Sequence, residues 1–246
     1  MQFYFIRHAQ SSNNLLWDTT GSSNGRSHDP ELTEIGLRQA HLLARFLARS
    51  PKTPVANGSS SQAPRRDYYN AAGFGITHLY SSLMLRAVMT GTKIARELGL
   101  PLVAWEDLHE FGGIYLDDEQ TGEPVGQPGS DRAFFEEHYP GLVLAPGSAR
   151  DGWWNRPRES REQGLLRVQR FFHDLLKRHG STQDRVAVVS HGEFYNMLLR
   201  LIFKIEGENC WFDMNNTGIT RIDFEAEEVK LAYANRLDFL PPELIT

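Results

Sequence analysis

Apolar strand-like runs alternate with amphipathic stretches along this chain. That alternation predicts an α/β fold, a three-layer α/β/α sandwich with a largely parallel central sheet, antiparallel edge strands and long loop insertions. Three observations carry the prediction. Residues 2–6 and the VAVVS core of 185–190 are apolar without alternation, as strands covered on both faces are. Stretches with helical spacing follow the strand-like runs. The last two runs, 218–224 and 229–234, alternate like edge strands around an acidic turn.

Each element has its own signal. The first strand ends at Arg7 and His8. Over 33–49, Ile35, Leu42, Leu43, Phe46 and Leu47 fall at helical spacing and Thr33 is placed to cap the start, so the order expected is strand, loop, helix. Residues 50–75 are rich in Ser, Pro, Gly and Asn without a sustained period, which predicts a surface insertion. A strand at 77–80 precedes a helix over about 84–98, closed by Gly99 with Pro101 beyond. The stretch 111–157 carries five prolines and reads as loop-rich. Ser160 with Gln163 forms a capping box for a helix whose expected apolar face is Leu165, Val168, Phe172, Leu175 and Leu176. After the strand at 185–190, His191 and Gly192 lead into a helix containing 197–203. One domain spanning 1–246 is expected, with insertions at about 50–75 and 111–157.

Composition narrows the function. The formal net charge is −5 and the basic residues are dispersed, which argues against a nucleic-acid partner. No apolar run approaches the roughly 18 residues of a membrane span. Cys210 is the only cysteine and the N-terminus has no signal-peptide pattern, so a cytoplasmic protein is expected. Cys210 is followed six positions later by Asn216 rather than Arg, unlike a cysteine-phosphatase loop. Walker, His-Glu-x-x-His and Gly-x-Ser-x-Gly patterns are missing, and no metal or cofactor is expected.

In a parallel sheet the ligand sits beyond the carboxyl ends of the strands. Arg7, His8, Arg86 and His191 all fall at or just past such ends. Phosphoryl transfer through a protein intermediate needs a nucleophile, positive charge around the phosphoryl oxygens and an acid for the leaving oxygen. Imidazole supplies the first, and fork-shaped guanidiniums match phosphate geometry.

The run from Arg7 and His8 through Ala9, Gln10 and Ser11 to Asn14 resembles the signature of the histidine phosphatase superfamily, whose best-known branch is the phosphoglycerate mutases. Ala9 stands where the family has Gly and adds a methyl group. Leu32-Thr33-Glu34-Ile35-Gly36 with Gln39-Ala40, Ser82 to Ala87 with Thr90, Leu108-His109-Glu110 with Gly112 and Gly113, and Ser190-His191-Gly192 match further segments in the family's order. The resemblance implies His8 as nucleophile, Arg7, Arg86 and His191 around the phosphate, Asn14 as a further donor and Glu110 as proton donor, with Glu106 or Asp107 in reserve. Gln10, Gly192, Arg26 and Arg156 are expected at the phosphate or substrate. The segment Trp153 to Arg158 reads either as a small satellite core or as a lid over the substrate.

Arg178-His179-Gly180-Ser181 spells the signature more literally, but it follows an amphipathic helix, and its basic residues and Gly180 suit a helix C-terminus. The expected activity is metal-independent hydrolysis of small phosphate monoesters, of a metabolite or a phosphoprotein. A phosphoglycerate mutase-type isomerase is the first alternative and a non-catalytic phosphate-binding scaffold the second. Phe111-Gly112-Gly113-Ile114-Tyr115 lacks the Arg-His-Tyr-Gly continuation of the mutases, which favours hydrolysis.

Overall fold

The computed structural model describes residues 1–49, 67, 69–207, 209–226 and 228–246. Most of the expected insertion at 50–75 lies outside the described residues. In chain order the elements are β1 (Gln2–Arg7), α1 (Ser12–Thr20), α2 (Glu34–Leu47), β2 (His78–Ser81), α3 (Leu85–Leu98) and β3 (Leu102–Ala104). They continue with β4 (Tyr115–Asp117), β5 (Pro124–Gly126), α4 (Arg132–His138), β6 (Leu142–Val143), α5 (Arg161–His179), β7 (Arg185–Ser190), α6 (Gly192–Ile202), β8 (Ile219–Glu225) and β9 (Glu228–Arg236).

Among the described residues seven strands form one sheet in the order β6-β3-β2-β7-β1-β8-β9. The pairings from β6 to β1 are parallel, and β8 and β9 add an antiparallel edge. The fold is the α/β class expected, with helices on both faces. Successive side chains of a strand point to opposite faces. Phe3 and Phe5 of β1 therefore pack with Phe171 of α5 and Phe194 of α6, whereas Tyr4 and Ile6 pack with Leu43 of α2 and Ile94 of α3. Burial on both faces is what makes β1 and β7 apolar throughout.

Four expectations are corrected. The segment after His8 is not a loop: α1 occupies it, opened by a capping box between Ser11 and Asn14. No residue of α1 is buried, so it carries no apolar period to be read. Leu165 is exposed, and the buried face of α5 runs through Val168, Phe171 and Leu175, with Phe172 and Leu176 against it. The strand expected at the edge over 218–224 is interior, because β8 pairs with both β1 and β9 and six of its seven residues are buried. The 111–157 stretch contains the β4-β5 hairpin, α4 and β6, and Trp153 and Trp154 close a satellite core with Leu83, Ile114 and Phe135.

Several close contacts fix the frame. A Cβ on Gly36 would stand 2.1 Å from the carbonyl oxygen of Gln10, so α2 meets the loop after β1 at a distance only glycine permits. Thr33 caps α2 as expected, accepting from the Gly36 N–H at 3.0 Å. Among the described residues no helix is long and apolar enough to cross a membrane.

Candidate active site

The register of the sheet assembles the site. Arg7 pairs with Ser190, so the residues after them, His8 and His191, leave neighbouring strand ends side by side. Their ring centroids are 5.0 Å apart. β2 lies on the other side of β7, and Ser82 beyond its end brings an Oγ to 2.9 Å from Nε2 of His191. Arg86, in the first turn of α3, donates its Nε–H to Nε2 of His8 at 3.2 Å.

The tautomer of His8 follows from its contacts. His8 Nδ1 lies 2.7 Å from the carbonyl oxygen of Ala9, which can only accept, so the proton is on Nδ1. Nε2, facing a guanidinium donor, carries the lone pair. Ser82 Oγ accepts from the Met84 N–H at 3.2 Å and shares a hydrogen bond with His191 Nε2 at 2.9 Å. His191 Nδ1 has no hydrogen-bond partner among the described residues, as is also true of Arg7 Nε.

Electrostatics keep the imidazoles neutral. Burial first, then the charges of Arg86 and Arg7, hold the pKa of His8 well below its ordinary value. Burial and Arg86 do the same to His191. Asp29 is buried beside Arg86, with Oδ1 3.9 Å from Nη1 and accepting the Leu85 N–H at 3.0 Å. Burial pushes its carboxyl up to about 7, against the pull of Arg86.

Glu110 sits at the start of α6, where its carboxylate accepts from the Phe194 N–H at 3.0 Å, the Glu193 N–H at 3.3 Å and the Phe111 N–H at 2.9 Å. Burial lowers the proton affinity of Arg7 and Arg86, opposed by Glu110 at Arg7 and by Asp29 and then Glu110 at Arg86. Its segment is anchored by Arg167, which pairs with Glu159 at 2.7 Å and donates to the carbonyls of Asp107 and His109. The reserve acids are placed elsewhere. Asp107 is held by Arg170 at 2.6 Å, and Glu106 faces Arg156.

The remaining predicted residues divide. Asn14 accepts through Oδ1 from Ser11 and, at 3.3 Å, from Asn216, whose amide also donates to the His8 carbonyl. Gly192 opens α6 beside Arg7. Gln10 is buried with its Oε1 accepting from the hydroxyl of Thr33 at 2.7 Å. Arg26 lies over the ring of Tyr115 and 4.0 Å from Asp117, within electrostatic reach of Arg86. Arg156 stacks on Trp154 rather than joining the His8 cluster. His179 of the more literal motif is buried between Tyr80 and Asp184, at the start of the parallel strands and away from His8.

Three residues at the site were not expected from the sequence: Asp29, Ser82 as a partner of His191, and Asn216. Asp29 lies three residues before Leu32 of a quoted motif, but only its contact with Arg86 singles it out. Nothing local marks the others.

The sheet order and the paired strand-end histidines define an α/β protein with a histidine-centred site beyond the carboxyl ends of its parallel strands. Residues 3–67 and 61–236 match the model of the histidine phosphatase superfamily, branch 1, and this chain belongs to that superfamily. A curated relative, "Probable phosphoglycerate mutase GpmB" of Yersinia pestis, is 32% identical over 111 residues, which is 45% of this chain and 38% of the relative. The match therefore spans well under half the length of that relative. Among solved structures, the mycobacterial glucosyl-3-phosphoglycerate phosphatase with inorganic phosphate is similar at 19% identity and a TM-score of 0.57, covering 98% of this chain and 99% of that one. The phosphoserine phosphatase of Entamoeba histolytica with 3-phosphoglyceric acid gives 20%, 0.57 and the same coverage. Both likenesses are of fold.

Proposed function

We propose that this chain is a metal-independent phosphatase that hydrolyses phosphate monoesters through a phosphohistidine on His8. The observation that carries the reading is the lone pair on His8 Nε2, held there by the Ala9 carbonyl on one side and the Arg86 guanidinium on the other. Nε2 attacks phosphorus in line as the bond to the leaving oxygen breaks, and Glu110 gives that oxygen its proton. Water then attacks the phosphohistidine, returns a proton to Glu110 and frees inorganic phosphate and Nε2.

Arg7, Arg86 and His191 stabilise the equatorial oxygens, with Asn14 adding an amide donor. Preorganised donors of this kind supply a large share of catalysis because they need no reorganisation during the reaction.

The test is phosphate release from an alkyl phosphate by wild type and His8→Ala, with acid-quenched enzyme assayed for an acid-labile phosphoryl group. Release and label in the wild type, both lost in the variant, support the reading. Equal turnover by the two proteins sinks it. Activity that survives EDTA supports the metal-free step. The curated relative motivates a second reading, isomerisation of phosphoglycerates, which requires isomer formation without phosphate release.

A further inference from the structure

Glu110 and Arg7 line a cavity of about 580 Å³ whose outer wall is built from residues outside the phosphate cluster. Trp17 reaches it from α1, and Trp211, Phe212 and Met214 come from the segment between α6 and β8. Trp17 is 59% exposed and Trp211 60%. α1 buries none of its residues, so Trp17 does not anchor its own helix. Large indole faces left in water beside a reacting centre are surface available to a ligand.

The charges facing this cavity are unevenly distributed. Among the described residues that line it, Arg7 is the only cation, and its Nη1 already donates to the Met214 carbonyl. Besides Glu110, the wall carries Glu193, paired with Arg161 at 3.6 Å, and Asp213. Asp18, next to Trp17, also acts on Arg7. A second anionic group on the substrate would meet carboxylates here, whereas a flat apolar group would meet indoles. Arg26, the cation with an acidic partner at Asp117, is not among the residues of this wall.

We propose that this cavity seats the leaving alcohol, and that the alcohol carries a flat apolar ring and no negative charge, stacked against Trp17 and Trp211. The proposal rests on the phosphomonoesterase reading. The leaving oxygen must lie at Glu110 to receive its proton, and the rest of the alcohol extends from there into the space the indoles flank. Carboxylate-bearing phosphoglycerates are then disfavoured substrates.

Ethyl phosphate and 2-phenylethyl phosphate release alkoxides of similar basicity, so a difference between them reports binding rather than leaving-group chemistry. The KM for the phenylethyl ester is expected about tenfold below that for the ethyl ester, the scale of one stacked ring. Trp17→Ala and Trp211→Ala should each bring that ratio toward one, and 3-phosphoglycerate should be the poorest of the three. A ratio of one in the wild type, a ratio unmoved in both variants, or a preference for 3-phosphoglycerate overturns the proposal. If no ester is hydrolysed, the phosphatase reading fails on its own. Calorimetric binding of the same three compounds to the wild-type protein then decides the cavity: tighter binding of the phenylethyl ester sustains it, and equal affinities reject it.

Discussion

Arg86 donates its Nε–H to Nε2 of His8 at 3.2 Å, so the guanidinium lies against the nitrogen proposed to accept the phosphoryl group. The contact does two things. It holds the imidazole lone pair on Nε2, and it puts a planar array of donors where phosphoryl oxygens gather charge. Lysine at this position would keep the charge and lose the fork. Arg86→Lys is therefore expected to cut kcat/KM for phosphate release on the order of 10²–10³-fold, as loss of a preorganised transition-state donor does. Steady-state kinetics with circular dichroism as a folding control checks this.

Asp29 makes a pH prediction of definite sign. Its carboxyl titrates near 7 in the folded chain against an ordinary 3.8, so between those values the native state holds a proton that the unfolded chain has released. Its contribution to stability is full at the acid end of that window and is lost as pH rises through about 7. Asp29→Asn removes the titration. Urea melts at pH 5 and pH 8 should show wild type favoured over the variant more at pH 5 than at pH 8.

The buried imidazoles pull the other way. His8, His109 and His191 all titrate well below their ordinary 6.5, each chiefly because of burial. Below about that pH the unfolded chain takes up protons that the native state refuses, so stability falls as pH drops. Asp29→Asn, which keeps these histidines and loses the opposing carboxyl, is expected to show a steeper decline from pH 6.5 to pH 5 than wild type. Equal slopes would contradict the Asp29 assignment.

The Arg167–Glu159 pair is a structural prediction with a catalytic consequence. Both side chains are buried, and the guanidinium also ties down the carbonyls of Asp107 and His109, immediately before Glu110. Arg167→Ala leaves Glu159 buried without its countercharge and is expected to cost about 3–5 kcal/mol. Chemical denaturation measures that loss, and kcat should fall with it at temperatures where the variant remains folded.

Gly36 supplies the last test. An alanine methyl there would lie 2.1 Å from the backbone oxygen of Gln10, and a backbone atom cannot swing aside as a side-chain tip does. Gly36→Ala is expected to destabilise the protein by about 1–3 kcal/mol or more, despite alanine's better helix propensity. A variant as stable as wild type would show that α2 moves freely against the loop after β1.

What the sequence alone determined is local. Strands covered on both faces are uninterrupted apolar runs, so the ends of β1 and β7 are visible in the sequence, and His8 and His191 with them. Thr33, and Ser160 with Gln163, are readable as caps because a cap is satisfied within three residues. The tertiary structure decided the rest. Whether β8 lies inside the sheet or at its rim depends on β9 pairing beyond it, and α1 has no apolar face to betray it. Which acid meets the site follows from the start of α6 capturing Glu110 while Arg170 holds Asp107. The burial of Asp29, the partner of His191 and the meeting of Trp17 with Trp211 around one cavity likewise join residues distant in sequence. Local periodicity reports which face of an element is covered, but not by which residue, and charge and tautomer depend on the residue that covers it.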